Sequence, residues 1–312
     1  MTGGHATALG LALFAAVMWG LWWVPIRMLE GAGLHGVWPG LAMAAGALPA
    51  FAIAAARGGR ARAVAGGAPV VPPRSEQQRA LAGAVACGLA VMLYASALAF
   101  TDVVRAVLLF YLAPAWSTAI ECLFLGRRWS RRSALALGLG ACGVMAILRL
   151  VPTGEGVGVV WNAGDSMALA SGLAWSVGTA LIFTAPTPGS GRLSLAMGLG
   201  ALCAGLAIAF SGDGAGAMPD LSVLVAALPL ALVTGLVYLA PVILGTMWSA
   251  QRLPPATLSF LLTAEIISGV GSSALFLDEP FGWPEMVGTV LVTLGALVEV
   301  VRAPRHPRLD HT

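Results

Sequence analysis

Glu265 is the residue whose type and place offer the most chemistry. It lies about ten residues into an apolar run over 255–277. At about 1.5 Å per residue, that puts it near the middle of a hydrocarbon layer about 30 Å thick. A charge there costs about 2.5–3.5 kcal/mol or more unless it meets a cavity, a partner or a proton. Three roles are therefore open: handling a proton, holding a cationic group, or sitting neutral and hydrogen-bonded between helices near Thr263 and Ser268. Two other acids enter apolar runs at shallower depth. Glu121 lies beside Arg127 and Arg128, where a long side chain snorkels or pairs. Glu299 closes the last run beside Arg302, where an ion pair is expected.

Arg105 opens the run 104–125. It either attracts an anionic group such as a carboxylate or pairs with Asp102 three residues earlier. Aromatic residues recur through the apolar runs, among them Trp19, Trp22, Trp23, Tyr94, Phe110, Tyr111, Trp116, Trp175 and Tyr238. Trp and Tyr normally gather at membrane interfaces, yet Trp19, Tyr111 and Trp175 sit deeper. A buried indole or phenol wants a polar partner, which a ligand or cavity water supplies; ordinary helix packing accounts for each ring as well. The candidate substrate contacts are thus Trp19, Tyr94, Tyr111, Trp175, Tyr238 and Glu265. Pro25, Pro114 and Pro241, with Pro229, interrupt apolar runs and are candidate hinges.

Missing residue types exclude several classes. All seventeen basic residues are Arg, so no lysine can form a Schiff base and a retinal protein is ruled out. His5, His35, His306 and His311 all fall outside the apolar runs, which removes paired-histidine haem ligation. Cys87, Cys122, Cys142 and Cys203 stand singly without metal-ligand spacing and read as small inert thiols. No GxxxxGK[ST] loop, HExxH or Gly-x-Ser-x-Gly occurs. No cofactor, no metal and no enzymatic activity are expected, nor is an ATPase subunit as partner. The net charge of +3 is scattered between apolar runs, so nucleic acid is not a partner.

The elements that must position these residues are membrane spans. Hydrophobic residues make up 58% and charged residues 10% of the 312, with a mean hydropathy of +0.87. A soluble domain carries about a quarter charged residues; this chain cannot coat a globule with polar surface. Apolar runs at 6–26, 37–56, 80–100, 104–125, 133–150, 164–184, 193–211, 222–248, 255–277 and 283–301 give ten spans. Short alternating segments of a β-barrel are absent. Ten spans put both termini on one side, and that side then holds all but Arg27, Arg105 and Arg149 of the arginines. By the positive-inside rule both termini are cytoplasmic. Glu30, Asp102, Asp165, Asp220 and Glu285 fall on the other face. The loop 57–79 is rich in Arg, Gly and Pro and reads as a solvated topology signal, with lipid headgroups or a partner as the alternative. Residues 302–312 form a cytoplasmic tail. The first apolar run has no basic leader and is expected to be kept as a span, not cleaved.

The chain also repeats. Leu123-Phe124-Leu125-Gly126-Arg127 falls on Leu275-Phe276-Leu277-Asp278-Glu279 at an offset of 152, and Gly143 on Gly295. Trp19 falls on Trp175 at 156. Five spans used twice place the second copy inverted, an arrangement that sets substrate sites at the repeat interface. Ala16-x-x-Trp19-Gly20, Phe110-Tyr111-Leu112-Ala113-Pro114 and Leu277-Asp278-Glu279-Pro280, in this order, resemble the EamA-type drug/metabolite transporters. The resemblance implies an all-α membrane protein of ten helices in an inverted five-plus-five repeat, with EamA units at 6–150 and 164–301. It implies a secondary transporter in the bacterial inner membrane, exporting small amphiphilic metabolites such as amino acids or drugs. Partners would be the bilayer and a small-molecule substrate; nothing bears on oligomeric state. Arg127 stands where the first unit usually has Glu. Ile266 stands where the second often has Pro, so the ninth span is expected to be less kinked. A non-transporting membrane sensor or assembly protein, or a membrane-embedded enzyme, is the alternative.

Overall fold

The computed structural model describes residues 3–64, 73–124, 130–148, 161–185, 189–211, 217–253, 258, 261–277 and 281–300. Asp278, Glu279 and Pro280 of the Leu-Asp-Glu-Pro motif lie outside these residues, as do Arg127, residues 65–72 of the long loop and the tail 302–312. The side chains of Glu121 and Glu299 are likewise outside the description. Among the described residues everything regular is helical. The helices are α1 (Gly3–Gly20), α2 (Trp23–Gly31), α3 (Trp38–Val64), α4 (Arg74–Phe100), α5 (Val103–Phe110), α6 (Ala113–Phe124) and α7 (Arg131–Ile147). Then follow α8 (Ala163–Phe183), α9 (Ser190–Ala209), α10 (Leu221–Val233), a π-helical turn Thr234–Leu239, α11 (Ala240–Ala250), α12 (Ala264–Phe276) and α13 (Trp283–Val300).

Large apolar side chains point outward as well as inward: Phe124, Phe210, Val237, Ile267 and Leu275 are all exposed. Water does not tolerate such a surface and lipid does. Among the described residues, five helical stretches are long and apolar enough to cross a membrane, and the bent pair α1–α2 makes a sixth. α7, α12 and α13 are apolar but shorter. The ten spans read from the sequence therefore stand against five or six by length and composition.

Several expected spans are interrupted, and backbone chemistry explains where. Proline has no N–H to give the carbonyl four residues back. For Pro25 that carbonyl is Leu21's, and it accepts Val24 N–H instead, at 3.0 Å; α1 and α2 meet there at 42°. For Pro114 it is Phe110's, the last residue of α5. Neighbouring helix α8 covers this break: Ser176 Oγ donates to the Ala113 carbonyl at 2.8 Å, and Gly172 lies against the Phe110 carbonyl, where a Cβ would come within 2.6 Å. Freed backbone groups inside a membrane need this cover. For Pro241 it is Val237's, within the π-helical turn. Within the ninth expected span a turn at Thr263 separates the helical residues 261–262 from α12, which starts at Ala264.

Packing follows from small residues. α4 runs against α8 and α9, α3 against α9, α7 against α13, and α1 against α11 and α12. Lipid tails are as apolar as leucine, so close backbone approach holds helices together. At Gly20 the approach is extreme: a Cβ would sit 2.5 Å from the Glu265 carbonyl oxygen and 2.6 Å from the Gly269 nitrogen. The break after α1 is thereby pressed onto the first turn of α12, the turn that carries Glu265.

Candidate functional site

Glu265 is the second residue of α12, just past the turn at Thr263, and only 5% exposed. A helix N-terminus favours negative charge through its unpaired N–H groups. Two helix interruptions meet at this point. Tyr111, in the turn between α5 and α6, places its hydroxyl 2.6 Å from the Leu262 carbonyl and 3.0 Å from Glu265 Oε2. The chain has three tyrosines, and all three act on this carboxyl: Tyr94 from α4 and Tyr238 from the π-helical turn join Tyr111 around it. Ser268 Oγ donates to the Glu265 main-chain carbonyl, at 3.2 Å.

A phenol has one proton to donate. The Leu262 carbonyl can only accept, so that shorter bond takes it. The contact at 3.0 Å is then best satisfied when the carboxyl itself donates, which requires its protonated form. A protonated carboxyl thus satisfies the Tyr111 contact by donating, while a charged one can accept from Tyr94 and lies at the start of α12.

Rings extend the site. Trp19 and Trp22 meet edge to face at 5.0 Å, Trp22 and Tyr94 at 5.9 Å, Tyr94 and Phe110 at 5.0 Å. Phe110 goes on to Tyr111 at 5.6 Å and Trp175 at 6.3 Å. One connected cluster therefore contains Trp19, Tyr94, Tyr111 and Trp175, and Glu265 and Tyr238 adjoin it. Trp19 donates its Nε1–H to Thr246 Oγ1 at 3.1 Å, and Trp23 to Ser272 Oγ at 2.9 Å; Tyr238 donates to the Met18 carbonyl. Thr246, Ser272 and Leu262 were not singled out from sequence as partners, because each lies far along the chain from the ring it meets. A small cleft lies beside the cluster, between α6, α7 and α13, lined in part by Tyr111, Pro114, Thr118 and Val292.

Arg105 lies elsewhere, in the first turn of α5. Its guanidinium pairs with Asp165, fully buried at the start of α8, not with Asp102. Thr101 Oγ1 donates to Asp165 Oδ1 at 2.9 Å, and the Asn162 main chain to Oδ2 at 3.0 Å. Asn162 Oδ1 receives the Asp165 N–H in return, closing a capping box. Glu285 is also buried, accepting from Gly282 N–H at 2.8 Å. Two acids read as outer-loop residues are thus built into helix starts. The candidate hinges Pro25, Pro114 and Pro241 each stand within the first three residues of a helix that follows an interruption.

An all-helical membrane protein with a buried carboxyl at the meeting of two broken helices is the class these observations define. Residues 6–149 match the model of the EamA-like transporter family. Over that stretch, just under half of the chain, the sequence is similar to that family, in keeping with the resemblance its motifs show to drug/metabolite transporters. No curated protein matches the sequence. A solved structure described only as "Crystal structure of protein" superposes over 94% of this chain and 96% of its own, with a TM-score of 0.50 at 19% identity. That likeness concerns the fold alone.

Proposed function

We propose that the protein is a secondary active transporter that exports small amphiphilic metabolites across the bacterial inner membrane by alternating access. Ten spans in an inverted five-plus-five repeat, with cytoplasmic termini, would carry it. Helix contacts support the repeat. Exchange α1–α2 with α8, α3 with α9, α4 with α10–α11, α5–α6 with α12, and α7 with α13. The pair α1·α11 then becomes α8·α4, α1·α12 becomes α8 with α5 and α6, and α3·α9, α5·α12 and α7·α13 map onto themselves; all of these pairs are in contact. The breaks at Tyr111 and Thr263 are 152 residues apart, the offset of the sequence repeat.

The observation that carries the carrier reading is the Tyr111–Glu265 contact, which joins the two halves at paired helix breaks. Broken helices around a midplane polar group are where transporters place their sites. Purified protein in vesicles, offered a panel of amino acids and drugs, should move at least one solute under an imposed ion or substrate gradient without ATP. Strict dependence on added ATP sinks the proposal. The tight burial of Glu265 among tyrosines favours the second reading, a non-transporting membrane protein, and a complete lack of movement across the panel would establish it.

Topology has its own test. Cysteines introduced at Ala63 and Ser130 should react only with a reagent on the cytoplasmic side, and one at Gly214 only from the periplasm. Positions 63 and 214 reacting from the same side would end the ten-span arrangement.

A further inference from the structure

Among the described residues, the ring cluster contains one fully buried polar side-chain atom without a hydrogen-bond partner. Trp22 is 1% exposed, and its Nε1 has no hydrogen-bond partner, while its neighbours Trp19 and Trp23 both donate to hydroxyls. An unsatisfied buried N–H costs about 1–3 kcal/mol, so an acceptor that reaches it is bound with that much to recover. Trp38 and Trp116 also bury an indole nitrogen without a partner, but no ring contact among the described residues ties them to the cluster. Trp22 lies between Trp19 and Tyr94, and Tyr94 faces Glu265. A donor and a carboxyl thus bracket the same set of rings.

Charge narrows the ligand further. Among the described residues, the groups that act on the Glu265 carboxyl are tyrosines, with no arginine among them. Lysine is absent from the chain, and the Arg105 guanidinium is held by Asp165. Among the described residues an anionic ligand finds no countercharge here, while a cation finds a carboxylate and the faces of several rings.

We propose that the ligand of this site is a small aromatic amine: its protonated nitrogen pairs with the Glu265 carboxylate, its ring lies against the indole and phenol rings, and an acceptor at its far end takes the Trp22 indole N–H. This rests on the carrier reading and names its substrate class. In the present conformation the rings close on one another, so the ligand enters as the broken helices separate. On entry the ammonium replaces the proton that the carboxyl otherwise keeps, and the carboxyl gives that proton up to water.

Three probes with one ring separate the contributions: tyramine, phenethylamine, which lacks the hydroxyl, and 3-(4-hydroxyphenyl)propionate, which replaces the amine by a carboxylate. Binding to the purified protein should rank tyramine above phenethylamine by roughly five- to tenfold, the worth of one hydrogen bond to a buried donor. The propionate should bind at least roughly tenfold more weakly than tyramine, because its charge stays unpaired. Trp22→Phe should bring tyramine and phenethylamine to the same affinity. This ratio is taken within one sample, so a partial loss of folded protein cancels. An unchanged ratio in Trp22→Phe means the N–H is spent on a neighbouring ring and overturns the assignment of Trp22. Equal or tighter binding of the propionate, or no binding of either amine, overturns the amine class. Gradient-driven movement of some other solute would leave the carrier reading standing in that case, whereas no movement of any solute would remove both.

Discussion

Glu265→Gln should keep the fold and remove the response of transport to pH. The substitution keeps shape, and the glutamine amide can donate to the Tyr111 oxygen much as a protonated carboxyl does, leaving the Tyr111–Leu262 bond in place. What it removes is the group that exchanges a proton. If Glu265 couples proton movement, gradient-driven accumulation should fall sharply, while exchange of substrate between the two faces survives and no longer varies with pH. If it only holds a cationic ligand, binding should weaken at every pH. A hydrogen bond to a charged partner is worth about 1.5–3 kcal/mol, so roughly ten- to a hundredfold in affinity is at stake. A purely structural role predicts that Gln is tolerated and that Glu265→Leu lowers folded yield, because the apolar side chain offers Tyr111 nothing. Wild-type, pH-responsive transport by a well-expressed Glu265→Gln protein takes the residue out of the mechanism. Vesicle uptake at several pH values, with monodisperse yield as control, decides among these.

Much of this site could be read from single residues, and its connections could not. Depth along an apolar run marks Glu265, because an ionisable group at a midplane is costly wherever it occurs. Proline marks the breaks near Pro25, Pro114 and Pro241 through the missing N–H. Nothing local marks the break at Thr263, where no proline stands; it pairs with the turn at Tyr111 across 152 residues. The same limit hides the tyrosines. Tyr94, Tyr111 and Tyr238 each read as a plausible contact, yet their convergence on one carboxyl depends on three different helices meeting. Trp22 looks in sequence like its neighbours Trp19 and Trp23. Only packing shows that those two find hydroxyls and it does not. The span count rests on Arg asymmetry and repeat spacing more than on helix length. α8 shows why: its glycines, serines and Asp165 lower its hydropathy while suiting it to close packing against α4.

Arg105 gives the other large expected effect, and it concerns stability. Three residues into α5, its guanidinium reaches Asp165 across 60 residues, where sequence spacing had offered only Asp102. Both partners are buried, and Asp165 also takes bonds from Thr101 and the Asn162 main chain while closing the N-terminal cap of α8. Removing one partner strands the other charge out of water, which costs about 3–5 kcal/mol. Arg105→Ala should therefore lower thermal stability in detergent markedly and reduce monodisperse yield. Asp165→Ala should do so at least as strongly, since it loses the cap as well as the ion pair. The double substitution Arg105→Ala with Asp165→Ala leaves no stranded charge, so its loss should be clearly smaller than the two single losses added together. An anion-attracting Arg105 predicts a different pattern: normal stability in Arg105→Ala, strictly additive losses in the double variant, and weaker binding confined to anionic solutes. Unfolding curves for the four proteins, read beside the binding of the propionate probe, separate an internal brace from a site for substrate.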